Sequence, residues 1–589
     1  MEILLNKPGQ KIILLGNEAI VRGALEAGVQ FVSTYPGTPA SEIGDTFFRI
    51  AKKVGVYFEY STNEKVALEA GIGASFSGLK TLVAMKDFGL NVCLDALGPF
   101  VYTGSRGPTV IVVADDPSCY SSAQWEESTR GLALVVRIPT LEPSDPQECK
   151  DFTKLAFQIS EKFKIPVMIR TTTRVAHQRA PVKLSNIQHP RAKKVNFLLP
   201  PSLSLGRLIK GEFVKDPKRF VTLPPRVLEM KSELLAKIEK IQQFSEKSEI
   251  NKATIGQEQF LTNSKIGIIT AGVPYLYVME ALKELNLSLP VLKLGFFYPL
   301  PEKKIQNFIK NPAPERSSVL DQSRTETKFL VRGLKKVLVV EELEPHLEKE
   351  IGRLAKDANC KLEVAGKKLI PEVGELKPEI VTSAIATFTN TKYKIQNTRY
   401  KIQAPKRFPQ LCPGCPYWLV FSAIKKAVDT KEVVFGGDIG CYMLFGTPAM
   451  NIQDYLSCMG SSIGIAHGIK KATKQKLITF IGDSTFFHAG IPALINTVFN
   501  KSNPLIIILN NQTTAMTGLQ PHPGAPAGYP QSGCDGIKIE EMVRACGVKN
   551  LKILDQINQK EFIEAVKEFL NKKEVSVIIA RRPCIWIKK

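Results

Sequence analysis

Residues 477–511 read LITFIGDSTFFHAGIPALINTVFNKSNPLIIILNN, and the spacing of their apolar residues predicts a strand, a helix and a second strand. The first apolar run, LITFI, ends in Gly-Asp-Ser, and the second, LIIIL, ends in Asn-Asn. A strand–helix–strand unit of this length makes the two strands parallel neighbours. We therefore expect Asp483 and Asn511 to emerge together at the carboxyl edge of an open α/β sheet, where such sheets bind ligands.

Asp483 and Asn511 offer the oxygen ligands that Mg2+ prefers. One carboxylate and one amide carbonyl suit the octahedral shell of this ion, which takes its other ligands from phosphate and water. The small residues beside Asp483, which are Gly482 and Ser484, would let a diphosphate approach closely. The residues alone leave an alternative open, because an Asp at the end of a strand can simply cap the helix that follows.

The rest of the chain is organised as several domains, because 589 residues exceed what one hydrophobic core supports. Alternating strand and helix patterns predict a parallel α/β domain over residues 1–180. Residues 181–262 carry one predicted helix and no sustained strand, which favours an extended linker. Further strand patterns predict a small α/β domain over residues 263–395 and a third α/β domain over residues 405–589.

Composition excludes several classes of protein. The net charge of +23 is spread along the chain without a nucleic-acid reader motif, so we expect no nucleic-acid partner. The charge favours acidic carrier proteins and anionic substrates such as oxo acids and coenzyme A, or belongs only to solvated lysine faces. The sequence contains no signal-peptide pattern and no apolar stretch of about 18–20 residues, so we expect a cytoplasmic protein without a membrane span.

Eleven cysteines without a secretion signal favour thiols or metal ligands over disulfides. Cys412 and Cys415 form a Cys-Pro-Gly-Cys motif, which fits half of a zinc site, a redox dithiol or part of an iron–sulfur centre. The spacing alone does not choose among these. Seven other cysteines are interpreted as buried thiols: Cys93, Cys119, Cys149, Cys360, Cys458, Cys534 and Cys546.

Segments along nearly the whole chain resemble the large (alpha) subunit of indolepyruvate ferredoxin oxidoreductase, a thiamine diphosphate-dependent 2-oxo acid:ferredoxin oxidoreductase. They are GNEAIVRGALEAG at 16–28, TNE at 62–64, DDP at 115–117, LEPSD at 141–145, CPGCP at 412–416, GDSTFFH at 482–488, TAMTG at 514–518 and PHPG at 521–524. The resemblance implies an α/β multidomain protein. Two thiamine diphosphate-binding parallel-sheet domains, of pyrimidine and diphosphate type, flank a smaller transketolase C-terminal-like domain.

The resemblance also implies the metal ligands and the activating acid. Asp483, Asn511 and the backbone carbonyl of Thr513 would hold Mg2+ on the diphosphate. Glu64 opens a helix of small residues and would hydrogen-bond the pyrimidine ring, which favours the imino tautomer that deprotonates the thiazolium carbon. Glu69 is the competing acid in that helix, but it lies five residues on and points elsewhere.

Three further side chains are candidates for contacts with the substrate. Thr38 stands in a Tyr-Pro-Gly-Thr-Pro turn that resembles the family's substrate-side turn, so its hydroxyl would bond the oxo acid. The alternative is a rigid Pro-flanked turn without a ligand. His488 and His522 are candidates for acid–base or substrate groups, and they could equally be ordinary surface or core imidazoles.

Cys441 and Cys584 resemble the positions that, with Cys412 and Cys415, complete a four-cysteine [4Fe–4S] cluster in pyruvate-oxidising relatives. A cluster is also what the chemistry implies, because oxidation without NAD needs a nearby acceptor that takes one electron at a time. A structural zinc site with four thiolates, or inert buried thiols, remains the alternative.

The family converts arylpyruvates and coenzyme A into aryl-acetyl-coenzyme A, CO2 and reduced ferredoxin. The resemblance therefore implies oxidative decarboxylation of a 2-oxo acid such as indolepyruvate or phenylpyruvate. It also implies three kinds of partner: a smaller γ-type (β) subunit, a ferredoxin or ferredoxin-like subunit, and a second copy, giving a homodimer of heterodimers.

The sequence departs from the family pattern in four places. Relatives usually continue into a two-cluster ferredoxin domain, whereas this sequence stops at Lys589 without a C-x2-C-x2-C-x3-C-P run. Residues 86–88, Lys-Asp-Phe, stand where the family typically has a His, residues 312–332 look inserted, and Asn510 replaces a usual Asp. Two other functions stay open: a non-redox thiamine diphosphate-dependent decarboxylase or carboligase, and a non-enzymatic cofactor-binding scaffold.

Overall fold

The structure is a computed structural model that describes residues 2–121, 124–188, 211–255, 265–310, 312, 333–357, 361–393, 409–525 and 536–587. The chain forms two units. The first comprises Met1–Glu59 and Glu64–Arg399, and the second comprises Tyr60–Asn63 and Tyr400–Lys589. The described residues do not include Cys360, Cys534 or the part of the predicted insertion that follows Pro312.

The described strands of the first unit follow one another along the chain. They are β1 Lys11–Leu15, β2 Phe31–Thr34, β3 Tyr57–Tyr60, β4 Thr81–Lys86, β5 Thr109–Asp115, β6 Thr140–Leu141, β7 Val167–Thr172, β8 Arg179–Lys183, β9 Lys252–Ile255, β10 Ile266–Ala271, β11 Pro290–Leu294, β12 Phe296–Tyr298, β13 Lys336–Val340 and β14 Glu363–Ala365. Its helices are α1 Gly16–Ala27, α2 Ser41–Val54, α3 Glu64–Phe76, α4 Asp87–Thr103, α5 Arg130–Val136, α6 Pro146–Phe163, α7 Thr173–His177, α8 Pro217–Phe220, α9 Arg226–Glu246, α10 Pro274–Glu284, α11 Glu302–Lys310, α12 His346–Asp357 and α13 Pro378–Thr389.

The main sheet of the first unit has seven strands in the order β12-β6-β7-β5-β4-β2-β3. The neighbours from β6 through β7, β5 and β4 to β2 run parallel. Every residue of β4, β5 and β7 is buried, as expected for apolar strands covered by helices on both faces. This sheet is the first parallel α/β arrangement that the sequence predicts.

A second sheet of five strands, in the order β14-β13-β10-β11-β9, lies within the same unit. Its strand β9 comes from the segment predicted to be a linker without a strand, and it pairs antiparallel with β11. The four residues of β9, KATI, carry no periodic signal of their own, so it is the pairing with β11 that makes them a strand. Strand β12 leaves this region and pairs antiparallel with β6 of the main sheet.

A buried arginine joins the two sheets of the first unit. Arg130 is 1% exposed and donates from Nη2 to Glu142 at 2.5 Å and from Nη1 to Glu341, just after β13, at 2.7 Å. Removing one partner from a buried ion pair of this kind costs about 3–5 kcal/mol. The small α/β region is therefore anchored to the main sheet by charge as well as by strand pairing.

His346, at the start of α12, makes the first unit sensitive to acid. Burial, and then the positive charges of Arg130 and Arg170, lower the pKa of His346 to about 4. The unfolded chain binds this proton near pH 6.5 and the folded chain only near pH 4, so stability falls as the pH drops through that window, by at most about 1.4 kcal/mol per pH unit.

We expect His346→Gln to flatten the fall in thermal midpoint between pH 7 and pH 5, measured by calorimetry. His177 provides a control of opposite sign, because its hydrogen bond with Glu42 raises the pKa of the imidazole. His177→Gln should steepen the fall. An unchanged acid profile in His346→Gln would contradict the assignment.

The second unit contains one five-stranded sheet in the order β15-β16-β17-β19-β18, with every neighbouring pair parallel. Alternate residues of β17 enter two separate hydrophobic clusters, one on each face of the sheet. The elements are β15 Val433–Gly436, β16 Lys476–Gly482, β17 Leu505–Asn510, β18 Asn550–Asp555, β19 Ser576–Arg581, α14 Tyr417–Ala427, α15 Ser461–Ala472, α16 Asp483–Thr485, α17 Ile491–Phe499, α18 Ile539–Ala545 and α19 Gln559–Phe569.

None of the helices in the described part of the chain is long and apolar enough to cross a membrane. The free cysteines differ in part from the prediction of buried thiols. Cys93 and Cys149 are buried, but Cys119 and Cys546 are partly exposed and Cys458 is exposed. Cys458 lies in the loop that precedes α15.

Candidate functional site

The carboxyl edge of the second unit brings together the two residues that the sequence singled out. Strands β16 and β17 are parallel neighbours, with Gly482 opposite Leu509. Asp483 follows Gly482 as the first residue of α16, and Asn511 follows β17 in the next loop. Both residues are at least 90% buried. The predicted strand–helix–strand unit is thus present with the predicted geometry.

Asp483 bonds to the loop after β17 as well as to its own helix. Its Oδ2 accepts from the backbone N–H of Gln512 at 2.7 Å, and its Oδ1 accepts from the N–H of Ser484 at 2.9 Å. Gly482 is the N-cap residue and Asp483 is the first residue of the helix, so Asp483 bonds a first-turn N–H and the neighbouring loop at the same time. A carboxylate that reaches across to a neighbouring loop holds the two ends of a ligand site together.

The loop after β17 folds back over the start of α16. The amide oxygen of Asn511 accepts from the N–H of Thr513 at 3.1 Å, across Gln512, whose φ is 61°. Thr514 donates from its hydroxyl to Ser484 Oγ at 2.9 Å. The loop thereby presents a carboxylate, an amide oxygen and two hydroxyls in one small region, which is a donor set of hard oxygens suited to Mg2+.

His522 is held against Asp483. Its Nε2 lies 3.2 Å from Asp483 Oδ2, and its Nδ1 accepts from the N–H of Gly524 at 3.2 Å. Because Nδ1 is an acceptor, the neutral ring carries its proton on Nε2, facing the carboxylate. His488 is 7% exposed on the π-helical turn Phe486–Gly490 that joins α16 to α17, and such turns are frequent at functional sites.

Asp438 is a functional-site candidate that the sequence reasoning missed. This fully buried carboxylate accepts from the N–H groups of Gly460 and Ser462 at 2.8 and 3.0 Å, at the start of α15. Burial raises its pKa above the ordinary value. Asp438 stands in Gly-Asp-Ile-Gly immediately before Cys441, and this short pattern does not by itself distinguish a buried Asp from one in an ordinary loop.

The four cysteines that the resemblance assigns to one cluster lie close together, since charge on any of the other three affects the pKa of Cys441. Burial, and then the charges of the other three thiols, raise the pKa of Cys441 to about 11, and burial and the charges of Cys412 and Cys584 raise that of Cys415. The N–H of Cys584 donates to the carbonyl of Asn511 at 2.9 Å, beside the oxygen-rich loop.

The sulfurs are not arranged as a finished metal site. Within the described ranges, no group of three or more His, Cys, Asp or Glu side chains is placed to hold a metal ion. A thiol with a pKa near 11 stays protonated at neutral pH, so any metal would have to displace protons and draw the sulfurs together. The donor chemistry, four thiols from three separate segments, fits an iron–sulfur cluster or zinc.

In the first unit, Glu64 is the first residue of α3 and is 7% exposed. Glu69, the competing acid, is exposed and lies 3.6 Å from Lys65 in an ion pair. The two carboxyls of this helix therefore differ in environment. Only Glu64 has the partly desolvated position that suits a group exchanging protons with a bound ring.

Thr38 is bonded into a cluster that the sequence did not predict. Its carbonyl accepts from the Ser121 hydroxyl at 2.7 Å, and Lys86 Nζ donates to Ser121 Oγ at 2.8 Å. Although burial alone would raise it, hydrogen bonds from Ser121 hold the pKa of Asp116 below its ordinary value. Burial and the charge of Asp115 raise the pKa of Asp87, next to Lys86, to about 8.

Comparisons with known proteins match segments of both units. The family described as "Pyruvate flavodoxin/ferredoxin oxidoreductase, thiamine diP-bdg" matches residues 22–205, and "Thiamine pyrophosphate enzyme, C-terminal TPP binding domain" matches residues 424–580. Among solved structures, the 2-oxoglutarate:ferredoxin oxidoreductase of Magnetococcus marinus is 18% identical, with a TM-score of 0.45 over 64% of this chain and 65% of that chain.

Two relatives are similar over nearly the whole chain. The indolepyruvate oxidoreductase subunit IorA of Methanothermobacter thermautotrophicus is 41% identical over 592 residues, which are 99% of this chain and 88% of the relative. The subunit of the same name from Pyrococcus horikoshii is 40% identical over 604 residues, with coverage of 99% and 87%.

The parallel sheets and these matches define a thiamine diphosphate-binding enzyme that oxidises 2-oxo acids with ferredoxin as acceptor. Its multidomain α/β fold is the predicted one. Within that class, the chain belongs to the IorA family of indolepyruvate oxidoreductase subunits. As one subunit of an oxidoreductase, it works with partner subunits.

Proposed function

We propose that this chain catalyses the oxidative decarboxylation of an arylpyruvate, such as indolepyruvate or phenylpyruvate, with coenzyme A. The 2-oxo acid anion and the thiol give an acyl-coenzyme A, CO2, one proton and two electrons, which leave to ferredoxin. The observation that carries the proposal is the hydrogen bond from the N–H of Gln512 to Asp483. It joins the two loops of the second unit that are proposed to bind the cofactor.

Thiamine diphosphate supplies, when bound, an electron sink for the charge left by departing CO2. Asp483, the amide oxygen of Asn511 and the carbonyl of Thr513 would hold Mg2+ against its diphosphate, with Gly482 and Ser484 leaving room for the phosphate oxygens. His522, whose Nε2 lies 3.2 Å from Asp483 Oδ2, would pack against this carboxylate and limit its movement. Glu64 would hydrogen-bond the pyrimidine ring and hold the proton that activates the cofactor.

We propose that the oxo acid binds at the hydroxyl of Thr38. The support is the cluster that fixes this turn, in which the ammonium of Lys86 bonds Ser121 and pairs with Asp116 at 3.5 Å. The Lys86 ammonium also lies 5.0 Å from the centre of the Phe88 ring, which is stacked with Trp125 at 6.5 Å. Phe88 and Trp125 offer aromatic surface for an aryl side chain.

We expect Trp125→Ala to lower kcat/KM for phenylpyruvate by about 3- to 10-fold, the value of one aromatic contact, and to change kcat/KM for pyruvate less. Trp125 is 59% exposed, so its loss should not disturb folding. Steady-state kinetics with both oxo acids on the same preparation provide the measurement and its control. An equal loss for both substrates would remove Trp125 from the aryl site.

Cys412, Cys415, Cys441 and Cys584 are proposed to hold a [4Fe–4S] cluster, which supplies one-electron steps when present. The support is proximity, because Cys412, Cys415 and Cys584 all lie near enough to Cys441 to raise the pKa of its thiol, after burial. We expect Cys441→Ser to lose most of the bound iron and the visible absorption of anaerobically purified protein. The matched control is Cys458→Ser, because Cys458 is an exposed cysteine outside the set of four. Full iron in Cys441→Ser, or zinc in the wild type, would refute the assignment.

The proposed assembly contains a smaller γ-type (β) subunit and a ferredoxin or ferredoxin-like subunit, arranged as a homodimer of heterodimers. The test of the whole proposal is anaerobic co-purification with the smaller subunit, followed by reduction of a viologen dye on adding phenylpyruvate and coenzyme A. The expected products are phenylacetyl-coenzyme A and CO2. Free aldehyde formed without coenzyme A would identify a non-redox decarboxylase instead.

A further inference from the structure

The side chain of Glu64 lies directly against a glycine of the neighbouring helix α4. A Cβ atom built on Gly89 would stand 2.5 Å from Cγ and 3.2 Å from Cβ of Glu64, and 3.0 Å from Cβ of Met85. Carbon atoms prefer separations of about 3.5–4.0 Å. The position occupied by the Glu64 side chain is therefore available only because residue 89 has no side chain.

The backbone does not require glycine at this position. Gly89 lies inside α4, and its φ is not in the left-handed region. Glycine inside a helix is less favourable than alanine by about 0.5–1 kcal/mol, because it loses more conformational freedom on folding. Space beside Glu64, rather than a turn or a strained conformation, is the physical reason for a glycine here.

Two further buried residues, Met85 and Cys93, belong to the surface on which the Glu64 side chain lies. Met85 precedes α4, and Cys93 follows Gly89 by one helical turn on the same face, and both are fully buried. Burial, and then the charge of Glu64, raise the pKa of the Cys93 thiol. The carboxylate therefore lies close to this surface, whose shape is set by Met85, Gly89 and Cys93 together.

We propose that Gly89 is a positioning residue for Glu64: because Gly89 has no side chain, the Glu64 carboxyl group can occupy the position in which it would bind the pyrimidine ring. The inference rests on the proposed role of Glu64. A methyl group at residue 89 must move the Glu64 side chain by about 1 Å to restore normal contacts. A 1 Å misplacement of a catalytic group costs about 100-fold in rate.

The first test compares Gly89→Ala with Gly73→Ala. Gly73 lies in α3, the helix that begins with Glu64, and a Cβ there would meet nothing within 4 Å. The readouts are deuterium exchange at the thiazolium carbon of bound thiamine diphosphate and the dissociation constant of the cofactor by calorimetry. Gly89→Ala should exchange about 100-fold more slowly with little change in cofactor affinity. Gly73→Ala should match the wild type.

A double-mutant cycle separates positioning from a merely structural effect. In a Glu64→Gln background there is no acid to misplace, so Gly89→Ala should slow exchange little further. Equal slowing by Gly89→Ala in both backgrounds would overturn the inference while leaving the role of Glu64 intact. If Glu64→Gln alone exchanged at the wild-type rate, the proposed role of Glu64 would fail, and the inference would fail with it.

The cofactor-free protein gives an independent readout if Gly89→Ala folds poorly. Glu64→Ala removes the Cγ atom that the new methyl group would strike. Gly89→Ala should therefore lower the thermal midpoint in the wild-type background and lower it much less with Glu64→Ala. The same loss of midpoint in both backgrounds would mean that the methyl group strikes something other than Glu64, and would overturn the inference.

Discussion

Asp483→Ala is expected to weaken binding of thiamine diphosphate in the presence of Mg2+ by more than about 100-fold, since even the outer partners of metal ligands contribute 10- to 100-fold. The carboxylate is the only charged group among the three proposed ligands, and without it the ion meets neutral oxygens alone. Isothermal titration calorimetry with the cofactor and Mg2+ measures the loss. Binding within a few-fold of the wild type would remove Asp483 from the metal site.

Asp483→Asn is the matched variant for this prediction. The amide oxygen can still accept from the N–H of Gln512, whereas Asp483→Ala removes this acceptor and with it a hydrogen bond that joins the two loops. We therefore expect Asp483→Asn to be more thermally stable than Asp483→Ala. Its affinity for Mg2+ should nevertheless be much lower than that of the wild type, because the charge is lost. Parallel losses of stability and affinity in both variants would indicate that Asp483 acts through folding instead.

Glu64→Gln is expected to lower kcat by about 10²- to 10⁴-fold, the usual contribution of a positioned acid–base group. Affinity for thiamine diphosphate should change little, because Glu64 is not among the residues proposed to hold the diphosphate. The replacement keeps the size of the side chain, so the contact with Gly89 is preserved. The measurement combines pre-steady-state turnover with calorimetric binding of the cofactor.

Glu69→Gln is the control for Glu64, because it removes an exposed carboxylate from the same helix. It should leave kcat at the wild-type level, since Glu69 interacts with Lys65 in solvent, where such pairs contribute about 0–1 kcal/mol. If Glu69→Gln were the slower variant, the activating acid would have been assigned to the wrong turn of α3.

Much of the fold could be predicted because the buried strands of a parallel sheet appear in the sequence as continuous apolar runs. Continuous apolar runs followed by Gly, Asp or Asn marked the carboxyl ends of β16 and β17, and these strands are neighbours in the predicted direction. Strand β9 could not be found in this way, because its four residues become a strand only by pairing with β11. A short edge strand has too few positions to show a period of two.

The positions of Asp483 and Asn511 could be predicted because both residues follow strand ends. Their role as metal ligands and the role of Glu64, which rests on the family resemblance, stay predictions. Asp438 was missed because nothing local distinguishes a buried Asp that bonds a distant helix start from an ordinary loop Asp. The metal content of the cysteine set stays a prediction, since the spacing of Cys412 and Cys415 fits several metals.

The sequence by itself determined the order of strands and helices and the edge at which Asp483 and Asn511 emerge, because periodicity and chain connectivity are properties of neighbouring residues. Only the tertiary structure decided which distant side chains meet. Ser121 bonds the turn of Thr38 across 83 positions of sequence, and Gly89 leaves room for Glu64 on another helix. Such contacts depend on the packing of separate segments at the scale of one ångström, which no local pattern records.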